Sequence, residues 1–128
     1  MTQEEFIEVL DEKGYYYEIE GNKLVITYSF SVHLSDLTSL PPDVVFNNGG
    51  NVWVEALTSL PPGVEFKNEG DVKFRSLTSL PPGVEFKNVG NVYLRSLIGG
   101  GSHYWKGNIE GIEPTSLLNV MIKRGMFI

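Results

Sequence analysis

The chain has 128 residues, 41% of them hydrophobic, and a formal net charge of -6, which suits a single domain (1–128) with enough apolar side chains for a core. It has no cysteine, which excludes a disulfide framework, a thiolate metal site and a thiol nucleophile and accords with a reducing, cytoplasmic setting. Residues 1–31 hold seven acids and two bases, 32–97 seven and five, and 98–128 two and three, a balance that disfavours direct nucleic-acid binding, which relies on lysine and arginine to displace counterions.

Met1-Thr2-Gln3-Glu4-Glu5 lacks the basic start and apolar run of a signal peptide, and no stretch approaches the roughly eighteen consecutive apolar residues that a membrane helix needs. A non-secreted chain without a membrane span is expected. Residues 2–13 read as an amphipathic helix: Thr2 and Glu5 have capping-box spacing, Phe6, Val9 and Leu10 share a face with Ile7 beside it, and Gly14 stops it. Two β-rich runs follow, Tyr15–Glu20 and Lys23–Tyr28, joined by the hairpin turn Gly21-Asn22. Helix and hairpin together (1–31) read as an N-terminal cap, with the tyrosines serving as core and rim.

From Val32 to Leu97 the chain repeats every twenty residues. Leu57-Thr58-Ser59-Leu60-Pro61-Pro62-Gly63-Val64-Glu65-Phe66-Lys67-Asn68 recurs as Leu77 to Asn88 and, more loosely, precedes itself as Leu37 to Asn48. Val32, Val52, Val72 and Val92 begin the units, with Leu34, Val54, Phe74 and Leu94 two residues on. Val44, Val64 and Val84 likewise precede Phe46, Phe66 and Phe86. A spacing of two is strand spacing, so each unit should hold two short strands. The tandem prolines at 41-42, 61-62 and 81-82 cannot donate to a ladder and belong at one corner. Gly50, Gly70 and Gly90 mark the opposite corner, where left-handed backbone is expected. One unit cannot offset its own ordering entropy, so the units must stack. The expected architecture is mainly β, a short right-handed parallel β-solenoid with strands about 4.8 Å apart.

The Leu-x-x-Leu-Pro element of Leu57 to Pro61 resembles the short, twenty-residue leucine-rich repeats of bacterial proteins. The whole Leu-Thr-Ser-Leu-Pro-Pro-Gly-Val unit is similar to small uncharacterised bacterial and prophage proteins. The resemblance covers about half the chain and implies a partner-binding scaffold and no particular partner; a phage- or mobile-element-encoded adaptor or inhibitor of a bacterial protein is the form expected. It departs from ordinary leucine-rich repeats in having Leu77-Thr78 where an asparagine would follow the first strand, and in its strand-like second half. A flattened two-sheet form is therefore expected rather than an open horseshoe.

Beyond Leu97 the period fails at Ile98-Gly99-Gly100-Gly101-Ser102. His103 to Gly107 reads as loop or short strand, Asn108 to Ile112 as a last strand, and Pro114 to Arg124 as a helix with Leu117, Leu118, Met121 and Ile122 on one face. This C-terminal helical cap (98–128) would cover an exposed strand edge.

Function is sought in the outward columns, which vary between copies while the buried positions barely change. One column reads His33, Trp53, Lys73, Tyr93; its neighbour reads Ser35, Glu55, Arg75, Arg95. Aromatic and basic groups together suit stacking and ion pairing with a partner. His103, Tyr104, Trp105 and Lys106 form a secondary candidate. The other sheet presents Val45, Glu65 and Glu85 beside Asn47, Lys67 and Lys87, a self-compensating solvated face. No cofactor or metal is expected: the two histidines, His33 and His103, stand at opposite ends of the repeats without triad spacing. Gly99-Gly100-Gly101-Ser102 lacks a phosphate loop's lysine, and the turns equivalent to Asn68-Glu69-Gly70-Asp71 lack its carboxylates. The reading is a non-enzymatic protein-binding module. The alternatives are a homodimer built on the aromatic column and, more distantly, a nucleic-acid mimic using the acidic first 31 residues.

Overall fold

The computed structural model describes residues 1–78, 84–94, 104–105 and 109–112. The expected helix over Pro114 to Arg124 lies outside them. Within them the protein is mainly strand, in two open sheets, with one helix.

Helix α1 (Gln3–Lys13) begins at Thr2, whose Oγ1 accepts from the Glu5 N–H at 3.1 Å while its own N–H donates to Glu5 Oε1 at 2.9 Å. The hydrogen bonds from Thr2, backbone first and hydroxyl second, hold the Glu5 carboxyl below its ordinary range. Because that value is depressed on folding, the cap's help is present at neutral pH and fades as acid protonates Glu5. Gly14 ends the helix in left-handed conformation (φ 74°) and donates to Asp11 O. Phe6 and Leu10 are buried in the main core, with Ile7 and Val9 packed against it.

Strands β1 (Tyr17–Glu20) and β2 (Lys23–Ile26) form the antiparallel hairpin that the Gly21-Asn22 turn predicts. The hairpin does more than close an end. Strand β2 pairs in parallel with β4 (Val44–Phe46), matching Leu24, Val25 and Ile26 to Val44, Val45 and Phe46. Leu24 and Ile26 thus stand twenty residues before Val44 and Phe46 and are equally buried. The period reaches back into the stretch read as a cap, because β2 can present the same inward pair to the same core.

The remaining strands alternate between the sheets. Strands β3 (Val32–His33), β5 (Val52–Trp53), β7 (Val72–Phe74) and β9 (Val92–Leu94) pair in parallel, and β10 (Tyr104–Trp105) returns antiparallel to β9. Strands β4, β6 (Glu65–Phe66) and β8 (Val84–Phe86) continue the first sheet, with β11 (Ile109–Ile112) antiparallel to β8. The orders are β1-β2-β4-β6-β8-β11 and β10-β9-β7-β5-β3. Their inward side chains share one core. At its centre Phe46, Phe66 and Phe86 stack with centroids 4.9 and 5.2 Å apart and planes within 7° of parallel, and Phe74 from the opposite sheet meets Phe66 edge-on at 5.6 Å.

The two corners differ from expectation in one respect. Left-handed backbone occurs after the prolines, at Asp43 (φ 61°) and Gly63 (φ 79°), and not at Gly50, Gly70 or Gly90. At the latter corner glycine answers to space. A Cβ on Gly70 would lie 2.9 Å from both Asn51 N and Gly50 C, and nearer still to Asn51 Oδ1. Successive turns pack backbone against backbone here, and Gly70 N donates to Gly50 O at 3.1 Å. Gly70→Ala is therefore expected to cost about 1 to 3 kcal/mol through forced separation of the turns, read as a lower urea midpoint. An unchanged midpoint would show that the turns are not held this closely.

Beneath the same corner run three buried asparagines, Asn48, Asn68 and Asn88. Asn68 Nδ2 lies within hydrogen-bonding distance of Gly50 O (3.0 Å), Gly70 O (3.2 Å) and Asp71 O (3.1 Å), joining its own turn to the one before. Asn48 and Asn88 repeat the pattern. Along the outside of the turns Asp71 N donates to Asn51 Oδ1 and Asn91 N to Asp71 Oδ1, each at 2.8 Å. Side-chain oxygens therefore receive N–H groups that a bare stack of turns would leave without partners.

Candidate functional site

The outward positions of the second sheet come together as their twenty-residue spacing predicts. Parallel register sets His33 beside Trp53, Trp53 beside Lys73 and Lys73 beside Tyr93. The rings of His33 and Trp53 meet edge to face with centroids 3.9 Å apart. Lys73 Nζ stands 5.4 Å from the Trp53 centroid and 5.3 Å from that of Tyr93, a cation held between two aromatic faces. Each such contact contributes about 0.5 to 1 kcal/mol at an exposed site. Together they restrain four side chains that would otherwise lose rotamer freedom on meeting a partner.

The upper end of the column is tied to the N-terminal segment. Tyr15 Oη accepts from the His33 backbone N–H at 3.0 Å, so a tyrosine hydroxyl satisfies a donor on the terminal strand β3. Tyr15 in turn packs on Tyr28 at 4.9 Å, which meets Tyr16 and Phe30 edge-on at 5.8 Å each. These tyrosines form core and rim: Tyr15, Tyr17 and Tyr28 pack against the core, and Tyr16 is exposed.

Beside the first column, Glu55 links its neighbours. Its Oε1 accepts from Ser35 Oγ at 3.3 Å and its Oε2 pairs with Arg75 Nε at 3.4 Å. Arg75 is exposed and Glu55 only half-buried, so this ion pair is worth at most about 1 kcal/mol and serves mainly to orient the guanidinium. Arg95, His103 and Lys106 lie outside the described residues. Tyr104 and Trp105 are placed by their backbone alone, and Tyr104 takes the register position next to Tyr93. The secondary candidate thus adjoins the primary one. Sequence reasoning kept them apart because β10 runs antiparallel, and a reversed strand leaves no trace in a twenty-residue period.

On the first sheet Glu65 pairs with Lys67 at 3.6 Å and with Lys23 at 3.1 Å. Charge compensation was expected there. Lys23 was not expected to take part, since it reaches Glu65 only once β2 is seen to lie two strands away in the same sheet. Glu20, Lys23, Val25, Val45, Asn47, Glu65 and Lys67 line a shallow depression of about 220 Å³. Among the described residues no three His, Asp or Glu side chains are grouped to hold a metal ion, and no helix is long and apolar enough to cross a membrane. The chain matches no protein-family model, no curated protein and no solved structure.

Proposed function

We propose that the chain is a short right-handed parallel β-solenoid that works as a non-enzymatic protein-binding module, docking through the face that carries His33, Trp53, Lys73 and Tyr93 with Glu55, Arg75 and Arg95 beside them. One observation carries this reading. His33, Trp53, Lys73 and Tyr93 differ in every copy and fall on one line of the sheet, where their side chains are preset by mutual contact. Parallel pairing at a twenty-residue offset in both sheets supports the solenoid form. The resemblance to short bacterial leucine-rich repeats suggests an adaptor or inhibitor of a bacterial protein.

The face spans three strand steps, roughly 14 Å, too short for it alone to supply the ~800 Å² that a stable partner needs on each side. A protein partner therefore also covers a flank, and β10 beside β9 is the flank nearest to hand. The Trp53→Ala, Arg75→Glu double variant should lose capture of a specific protein from bacterial lysate while keeping its circular dichroism and a cooperative denaturation transition, with the midpoint lowered by no more than the contacts of Trp53 and Arg75 contribute. Lys67→Ala on the other sheet serves as control and should retain capture. Capture that survives the double variant would defeat the proposal. Sedimentation separates the homodimer alternative, in which the wild type dimerises at tens of micromolar and Trp53→Ala is monomeric.

A further inference from the structure

A second candidate surface is the edge of the first sheet. Among the described residues strand β1 is terminal in its sheet and pairs on one side only, with β2. Thr27 N donates to Tyr16 O, so in this antiparallel ladder Tyr16, Glu18 and Glu20 turn their backbone groups toward β2. Tyr17 and Ile19 then turn theirs away from it, by the alternation of antiparallel pairs. From Glu18 to Glu20 the strand is exposed, Ile19 to 48%, and Tyr16 just before it to 67%. An open edge with an accessible apolar side chain is a template for another strand.

Charge decides which strand fits. Glu18 and Glu20 lie on the outer face of β1, and among the described residues neither takes part in an ion pair. Helix α1 adds exposed Glu4, Glu5, Glu8, Asp11 and Glu12 to the same end. A second copy is a poor occupant. Pairing β1 with itself antiparallel through the outward backbone of Tyr17 and Ile19 sets Glu18 against Glu18 or Glu20 of the other chain, and like charges directly opposite are destabilising. We infer that β1 accepts, by strand addition, an extended segment of another protein in which lysine or arginine alternates with apolar residues. The basic side chains meet Glu18 and Glu20, and the backbone of the segment pairs with Tyr17 and Ile19.

The test uses the full chain, isotope-labelled, titrated with a short peptide alternating lysine with valine and threonine and followed by amide chemical shifts. Saturable shifts should centre on Tyr17 to Glu20. A peptide with glutamate in place of lysine should bind at least about tenfold more weakly, as should the Glu18→Lys, Glu20→Lys variant titrated with the lysine peptide. Methylating the peptide nitrogens that face β1 removes its donors without touching the protein, and binding should then be lost. The Trp53→Ala, Arg75→Glu variant should bind the peptide as the wild type does, which keeps this surface distinct from the one proposed above. No shifts with the lysine peptide, equal binding by the glutamate or methylated peptide, or dimerisation through β1 would each overturn the inference.

Discussion

Asn68→Asp is expected to destabilise the protein by about 3 to 5 kcal/mol at neutral pH and by clearly less near pH 4. The two side chains have nearly the same shape, so the difference is chemical. Asn68 is fully buried, and its Nδ2 faces the carbonyls of Gly50, Gly70 and Asp71. A carboxylate would turn a fourth acceptor toward those three carbonyls and place an uncompensated charge beneath the turns. Burial raises the pKa of such an aspartate above its unfolded value of about 3.9. The folded variant then binds more protons than the unfolded one, so its stability falls as pH rises from the unfolded pKa through the raised one. Protonated, it regains one donor. Asn68→Ala loses the donors without adding charge and should cost about 2 kcal/mol at either pH. Urea denaturation of both variants at a series of pH values decides the matter. A pH-independent Asn68→Asp deficit, or an Asn68→Ala variant as stable as the wild type, would show that the asparagine column does not hold the turns together.

The second large effect is expected at Phe66. Its ring is stacked between Phe46 and Phe86 and touched edge-on by Phe74, so removing it leaves a void with aromatic walls on three sides. The neighbours are fixed by their own strands and cannot collapse into the space. Phe66→Ala should therefore fall at the upper part of the roughly 3 to 5 kcal/mol range for such truncations. That is a large share of the ~5 to 15 kcal/mol by which a domain is normally stable. Phe66→Leu keeps most of the volume but not the stacking, and about 1 to 2 kcal/mol is expected. Equal losses for leucine and alanine would mean that ring stacking, rather than filled volume, dominates this core. A loss below about 1 kcal/mol for alanine would mean that the stack is not tightly packed.

Several of these features could be read directly from the residues. The capping box of Thr2 and Glu5, the stop at Gly14 and the turn at Gly21-Asn22 are local, and local chemistry is visible in a few adjacent side chains. The two strands of each unit followed from the spacing of two in Val84-Glu85-Phe86 and Val92-Tyr93-Leu94. The neighbours in the column His33, Trp53, Lys73 and Tyr93 followed from the period alone, because parallel strands at a constant offset set equivalent residues side by side.

Other features had no such signature. Asn48, Asn68 and Asn88 looked like ordinary turn residues, since a buried amide and an exposed one are spelled alike. Gly70 was legible as glycine but its reason was not: a left-handed turn and a close approach call for the same residue, and only the neighbouring turn distinguishes them. The proline corner showed the converse, with Asp43 and Gly63 supplying the left-handed backbone.

By itself, then, the sequence determined the repeat length, the inward and outward sets of side chains, and the helix and hairpin that precede them, all of which depend on residues near in the chain or at a fixed spacing. Tertiary structure alone decided that β2 is a member of the first sheet, that Lys23 reaches Glu65, that Tyr104 stands next to Tyr93, and that β1 keeps an open, acidic edge. Each of these depends on which strand lies beside which and in what direction, and strand order is settled by the burial of a shared core rather than by any one segment's composition.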